Sequence, residues 1–204
     1  MEELLALRHQ LHRYPELSGR EKVTAGVLLD FLQPLNPARI HRNLGGYGLM
    51  AVFEGKTEGT EVLFRADMDA LPIAETLPLE YASERKGISH KCGHDGHAAI
   101  LAGLAAYISG NPPQRGRYLL LFQPAEETGT GALSVLHSRQ FRQYKPDYSF
   151  ALHNLPGYSK DSVVVRTGTF AAASRGMVIH LKGRTSHASE PEKGQSPAMV
   201  LARL

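Results

Sequence analysis

The eight residues His90–His97, "HKCGHDGH", gather three histidines, the chain's only cysteine and an aspartate on one short stretch. That density of donors suits a metal ion better than a packed core. Buried polar groups need partners, and loop glycines add conformational freedom rather than stability. Further along, Asp67 and Asp69 flank Met68 in "ADMDALP", Glu126 and Glu127 are adjacent in "QPAEETG", and His153 begins "HNLP". Cys92 as thiolate, His94 and His153 as neutral imidazoles, and carboxylates from Glu126 and Glu127 form a ligand set suited to zinc. Carboxylates and open positions would also admit manganese or cobalt. A divalent ion lowers the pKa of bound water to about 7, and paired ions in such sites lie ~3.5–4 Å apart. Adjacent glutamates can divide the work, one binding metal and the other accepting the proton of metal-bound water. The result is a nucleophile for a carbonyl without a covalent intermediate.

Each of these residues alone has a plainer explanation. A lone cysteine is more often a buried hydrophobe than a ligand. A glutamate pair is usually a solvated turn, and His153 by itself could as well belong to a core. Cys92 could instead be a nucleophile with a histidine base, but the glutamate pair would then have no use. His9, His12, His41, His137 and His180 are expected to be structural or superficial. "GGYG" at 45–48 reads as a turn rather than a phosphate loop, because no helix signal follows it.

The elements that carry these residues decide between the explanations. Leu4, Leu5, Leu7 and Leu11 recur at roughly helical spacing before Pro15, and a second helix is expected over 21–32, with Pro34 after it. "YGLMAVFEG", "EVLFRAD", "RYLLLFQ" and "DYSFALHN" read as strands, "DGHAAILAGLAAYISG" as a helix ending at Gly110, and "GTGALSVLHSRQF" as another helix. Strands alternating with helices predict an α/β sandwich with a largely parallel central sheet. Ligands of such sheets sit beyond the carboxyl ends of the strands. Three separate strands end at Asp67 and Asp69, at Glu126 and Glu127, and at His153, while the cysteine stretch precedes a helix. All are therefore expected on one rim, and scattered surface charge would rarely fall so consistently. Near Ser174 the composition shifts, and "RGMVIHLKGRTSHASEPEKGQSPAMVLARL" predicts a strand, a polar loop and a helix start, as if another domain opened there.

Composition adds bounds. The chain has 204 residues, 42% hydrophobic and 21% charged, which is ordinary for a globular protein with a real core. Its formal charge of +3 comes from scattered basic residues, so neither a nucleic-acid nor a membrane partner is expected. One cysteine cannot close an internal disulfide, and no segment approaches the ~20 apolar residues of a membrane span. A cytoplasmic protein is the expectation.

The segments "LHRYPELSGRE", "RADMDALPI", "HKCGHDGHAAILAG", "FQPAEETGTGA", "LHNLP" and "GRTSHASEPEKGQSPA" together resemble the M20 family of metallopeptidases and amidohydrolases, in family order. The nearest subgroup is the N-acyl amino acid amidohydrolases, which includes hippurate and auxin-conjugate hydrolases. The resemblance implies a zinc-exopeptidase-like three-layer sandwich: residues 1–173 would form the N-terminal part of a catalytic domain, and 174–204 the start of an α+β lid domain. It implies Cys92, His94, Glu127 and His153 as metal ligands, with Glu126 the general base. Asp69 would orient a ligand from behind. Asp67 stands where other branches use a histidine ligand, which leaves its role open. His187 would cross a dimer interface and stabilise the oxyanion in the partner's site. Two divalent ions are implied, zinc or manganese, with cobalt or nickel as alternatives. The implied substrate is a small N-acyl amino acid or a peptide, and the implied assembly a homodimer through the lid. Family members run to roughly twice this length, so the chain is expected to be truncated in its C-terminal half, where a further ligand histidine belongs. Hydrolysis of the acyl–amino acid amide is the expected reaction. An inactive fragment of such an enzyme, or a dipeptidase or carboxypeptidase, is the alternative.

Overall fold

A computed structural model describes residues 1–169 and 177–203. The chain divides into two compact units, Met1–Pro156 and Gly157–Leu204. The boundary expected near Ser174 lies outside the described residues.

In the first unit, α1 (Glu2–Arg13) and α2 (Lys22–Leu32) form where apolar residues recur at helical spacing. Glu2 and Glu3 in the first turn of α1, and His12 and Arg13 in its last, suit the helix dipole. Strands β1 (Arg39–Leu44), β2 (Gly48–Glu54) and β3 (Thr57–Asp67) follow. Helix α3 (His94–Gly110) leads to β4 (Arg115–Gln123), α4 (Gly131–His137) and β5 (Tyr148–Ala151). The five strands lie in the order β1-β2-β4-β3-β5. β4–β3 and β3–β5 are parallel, whereas β1–β2 and β2–β4 are antiparallel. The parallel arrangement expected for the sheet is thus its β4-β3-β5 part, onto which a hairpin is added.

That hairpin turns at Gly45 and Gly46, both with positive φ, where "GGYG" was expected to turn. β1 itself is not evident in the sequence. "RIHRNL" is largely polar and half of its residues are exposed, and it becomes a strand through its pairing with β2.

Strand alternation sorts the core into two layers. Leu120 and Phe122 of β4 pack with Leu7, Leu11, Leu28, Leu32, Ala98, Ala102 and Ile108 of the helices. Leu119 and Leu121 face the opposite side, with Met50, Val52, Val135, Phe141 and Tyr144. The unit is therefore a three-layer α/β sandwich. Small residues let α3 approach α1 closely: a Cβ on Gly103 would meet Leu4 Cδ1 at 2.9 Å. β5 is an exposed edge strand. α4 stops at His137, short of the expected Phe141, because Ser138 takes extended backbone and its hydroxyl then accepts the Phe141 amide.

The second unit departs from expectation at its start. Residues 177–181 form no strand and are exposed, because no strand among the described residues pairs with their backbone groups. A single antiparallel bridge joins Arg184 and Gln195, and a short helix, α5 (Ala198–Leu201), follows. No helix among the described residues is long and apolar enough to cross a membrane.

Phe122 is fully buried where β4 meets the helices, whereas Phe150 lies half exposed on the edge strand. Phe122→Ala is expected to lower unfolding free energy by about 3–5 kcal/mol in urea titrations. Phe150→Ala is expected to change it by less than about 1 kcal/mol. Equal effects would contradict the assignment of the core.

Candidate metal centre

The parallel strands deliver their side chains to one rim. β3 ends at Asp67 and leads through Met68 to Asp69, β4 leads through Pro124 and Ala125 to Glu126 and Glu127, and β5 leads to His153. Residues 90–93 enter α3 at Gly93, whose φ of +93° turns the chain so that His94 begins the helix facing inward.

His94 is the centre of the arrangement. Its ring is fully buried, and Nδ1 donates to the backbone carbonyl of Asp69 at 2.9 Å, with Asp69 Oδ1 at 3.3 Å. That fixes Nε2 as the free nitrogen, and it points at Asp67 Oδ1 (3.6 Å), Glu127 Oε1 (3.7 Å) and Glu126 Oε2 (3.8 Å). Both His94 Nε2 and Glu127 Oε1 are buried without a hydrogen-bond partner among the described residues. Three donor groups share this neighbourhood: Cys92, His94 and His153; His94, Glu126 and Glu127; and Asp67, His94 and His97. Within each, the donor atoms lie within 4.8 Å of one another. Cys92 Sγ is 3.4 Å from His153 Nε2. His153 Nδ1 donates to the Asn154 carbonyl at 2.7 Å, which leaves Nε2 to face the thiol.

Electrostatics fit the same use. Burial and then the nearby carboxylates of Glu127, Glu126 and Asp67 push the Cys92 thiol up to about 11. A free thiolate nucleophile is disfavoured there, so the alternative of cysteine catalysis loses its footing. Burial also raises the Glu127 carboxyl, the pull of His94 being outweighed. Burial opposes the ionised form of Asp69 too, but hydrogen bonds from His94, Ser18 and the Glu127 amide hold it down at about 2. Burial lowers His94, yet the Asp69 hydrogen bond and the charges of Asp67 and Asp69 keep it above the ordinary imidazole value. Unpartnered soft and hard donors in a ring of carboxylates are what a divalent cation would satisfy, so the residues present fit such an ion.

The structure therefore brings together Cys92, His94, Glu126, Glu127 and His153, with Asp69 behind His94. His187 belongs to the second unit, where its Nδ1 accepts the Ser189 amide at 3.2 Å. His90 does not join the cluster. Burial pushes it down to about 4, and its ring lies 6.3 Å from that of His12. Two participants escape sequence reasoning. His97 is clasped between Asp67 Oδ1 (2.6 Å) and the Asn154 amide (3.0 Å), and a Cβ on Gly93 would meet the Asn154 side chain at 2.6 Å. The "HDGH" spacing was the available signal for His97. Nothing in the sequence marks Asn154.

The cysteine stretch is held from outside by a second polar group. Asp95 Oδ2 receives His12 Nδ1 at 2.9 Å and Arg8 Nε at 3.2 Å, both from α1, and His12 Nε2 donates to Glu75 at 2.8 Å.

The model of peptidase family M20/M25/M40 matches residues 63–200. Over 203 residues, 99% of this chain and 48% of the relative, identity is 37% with an N-acetyl-L-cysteine deacetylase of Bacillus subtilis. With an N-acetyldiaminopimelate deacetylase of Enterococcus faecalis it is 36%, covering 98% and 52%. Among solved structures, a dinuclear metal-binding peptidase of the M20 family from Bacillus subtilis superposes with a TM-score of 0.71 at 33% identity, over 76% of this chain and 43% of that one. The chain spans about half the length of the curated relatives it matches.

The Asp95 hydrogen bond lifts the His12 pKa, burial opposes it, and Glu75 adds to the rise. A group whose pKa is raised on folding stabilises fully below its unfolded value and loses that contribution as pH climbs through the folded one. His12→Gln is expected to cost on the order of 1–3 kcal/mol at pH 6. The deficit should shrink at alkaline pH, as read from urea midpoints across a pH series. A deficit independent of pH would refute the charged pairing.

Proposed function

This chain belongs to peptidase family M20/M25/M40, and from that premise we propose that it supplies the metal-binding part of a hydrolase that cleaves the amide of N-acyl amino acids. One observation carries the proposal: the fully buried His94 presents an unpartnered Nε2 to three carboxylates from two different strand ends.

Cys92, His94, Glu127 and His153 would hold two divalent ions, zinc or manganese, with cobalt or nickel as alternatives. When bound, such ions supply Lewis acidity, drawing electrons from the amide carbonyl and acidifying water. Glu127, whose unpartnered oxygen faces inward, suits the ligand role. Glu126, the more exposed of the pair, suits the general base. Its carboxylate accepts a proton from the attacking water and then delivers it to the departing nitrogen. The acyl group leaves as a carboxylate and the amino acid as a free amine. Asp69 fixes the His94 tautomer so that Nε2 faces the site. His187 would stabilise the oxyanion across a homodimer interface formed by the unit that carries it. A cytoplasmic setting suits a lone cysteine used as a ligand.

The substrate proposal shifts from the hippurate type. The matched curated relatives are named for removing acetyl groups from cysteine and diaminopimelate. A small acyl group on an amino acid is therefore favoured over an aromatic one. Peptide cleavage is the second reading, favoured by the peptidase designation of the superposed Bacillus subtilis structure.

The test begins with elemental analysis of purified protein loaded with zinc or manganese and desalted, followed by assay on N-acetyl amino acids and dipeptides. Near two ions per chain is expected, and near zero would sink the proposal. Metal binding without turnover would uphold the metal-binding role of this chain and count against its cleaving the amide by itself. In an active form, Glu126→Ala is expected to lower kcat by about 100- to 10,000-fold with metal retained. Undiminished hydrolysis would remove Glu126 as base. Cys92→Ser is expected to weaken metal affinity, and an unchanged affinity would strike Cys92 from the ligands.

A further inference from the structure

We infer that Glu21 is a positioning residue for the glutamate turn: its buried carboxylate grips the Ala125 amide and so sets where Glu126 and Glu127 stand on the rim. The inference rests on the proposed roles of those two glutamates.

Glu21 occupies the N-cap position of α2, yet its side chain makes no capping hydrogen bond. That work is done by Glu16, whose Oε2 accepts the Thr24 amide at 2.8 Å and the Thr24 hydroxyl at 3.0 Å. Freed from its helix, the Glu21 carboxylate reaches across the fold. Oε1 accepts the amides of Gly19 and Ala125, each at 2.8 Å. Among the described residues, Oε2 is buried without a hydrogen-bond partner and Glu21 forms no ion pair. A fully buried carboxylate without a counter-ion is a costly choice for any role that a neutral residue could fill.

What it holds is strained. Ala125 has φ +49°, in the left-handed region that side chains other than glycine rarely adopt. The turn beyond is tight: Ala125 carbonyl accepts the Gly131 amide at 3.0 Å, and a Cβ on Gly131 would strike the Pro124 carbonyl at 1.6 Å. Glu126 is thus bracketed by two gripped amides. Ala125 N–H is held by Glu21, and Glu127 N–H is held by Asp69 Oδ2 at 3.0 Å. Ser18, from the same segment as Glu21, donates to that Asp69 oxygen at 2.6 Å. The short segment 16–21 therefore touches both grips.

Wild type, Glu21→Gln, Glu21→Ala and Glu21→Ala/Ala125→Gly would be compared by amide hydrogen exchange and by zinc affinity in competition with a chromophoric chelator. Glu21→Ala is expected to speed exchange at Ala125 and Glu127 by roughly tenfold or more, the effect of losing one charge-assisted hydrogen bond, with Leu119–Phe122 of β4 still protected. Zinc affinity is expected to fall by a similar factor. Glu21→Gln, which keeps an oxygen acceptor, should retain protection at Ala125. Adding Ala125→Gly should recover much of what Glu21→Ala loses, because glycine adopts the turn conformation without being held. Unchanged exchange at Ala125, loss of protection spread evenly through β4, or no recovery with glycine would each overturn the positioning role. Faster exchange with unaltered zinc affinity would uphold that role and count instead against Glu127 as a ligand.

Discussion

Withdrawing the Asp69 carboxylate from water has to be compensated by hydrogen bonds, since an isolated buried charge would cost more than the whole stability of a domain. The compensation arrives from three other segments: His94 at the head of α3, Ser18 before α2, and the Glu127 amide beyond β4. The amide of Ala70, next in the chain to Asp69, donates to the Glu16 carbonyl and ties the same joint. Satisfying one charge therefore fixes the relative placement of the imidazole, the glutamate turn and the N-terminal segment. The three-layer sandwich brings the strand ends to one rim, and this joint sets the angles at which their side chains meet.

Around that joint the protein concentrates groups that do not suit one another. Asp67, Glu126 and Glu127 crowd His94, and Cys92 sits among them as a thiol that burial holds protonated. Such a cluster works against folding unless a cation balances it, and the same imbalance would give the site affinity for one. The surrounding core is ordinary by contrast, with leucine, alanine and phenylalanine sorted by strand alternation into two apolar layers. The fold supplies stability at a distance from the place where it is spent.

The parts of this arrangement legible in the sequence are those governed by short periods. Apolar runs such as "RYLLLFQ" announce buried strands, the alanine-rich segment after His94 announces a helix, and the rule that ligands gather at strand ends places Asp69, Glu126, Glu127 and His153 together. Features decided by distant partners were not legible. β1 is too polar to look like a strand and exists because β2 lies beside it. The apolar stretch after Met177 looks like a strand and has no partner among the described residues to make it one. Asn154 and Glu21 carry no local signature, because their importance lies in amides and rings more than fifty residues away.

The order of the chain also bears on how the centre comes into being. Cys92 and His94 are neighbours, but the other donors are delivered by β3, β4 and β5, whose pairing joins residues as remote as Leu63 and Leu119. Parallel pairing of that separation forms slowly, because loop closure must precede the contacts that reward it. An ion therefore has little to bind until the sheet is assembled. This is the reverse of a small zinc module, in which the metal gathers an otherwise unfolded chain. An ion held by these donors would arrive after the strands that carry them have paired.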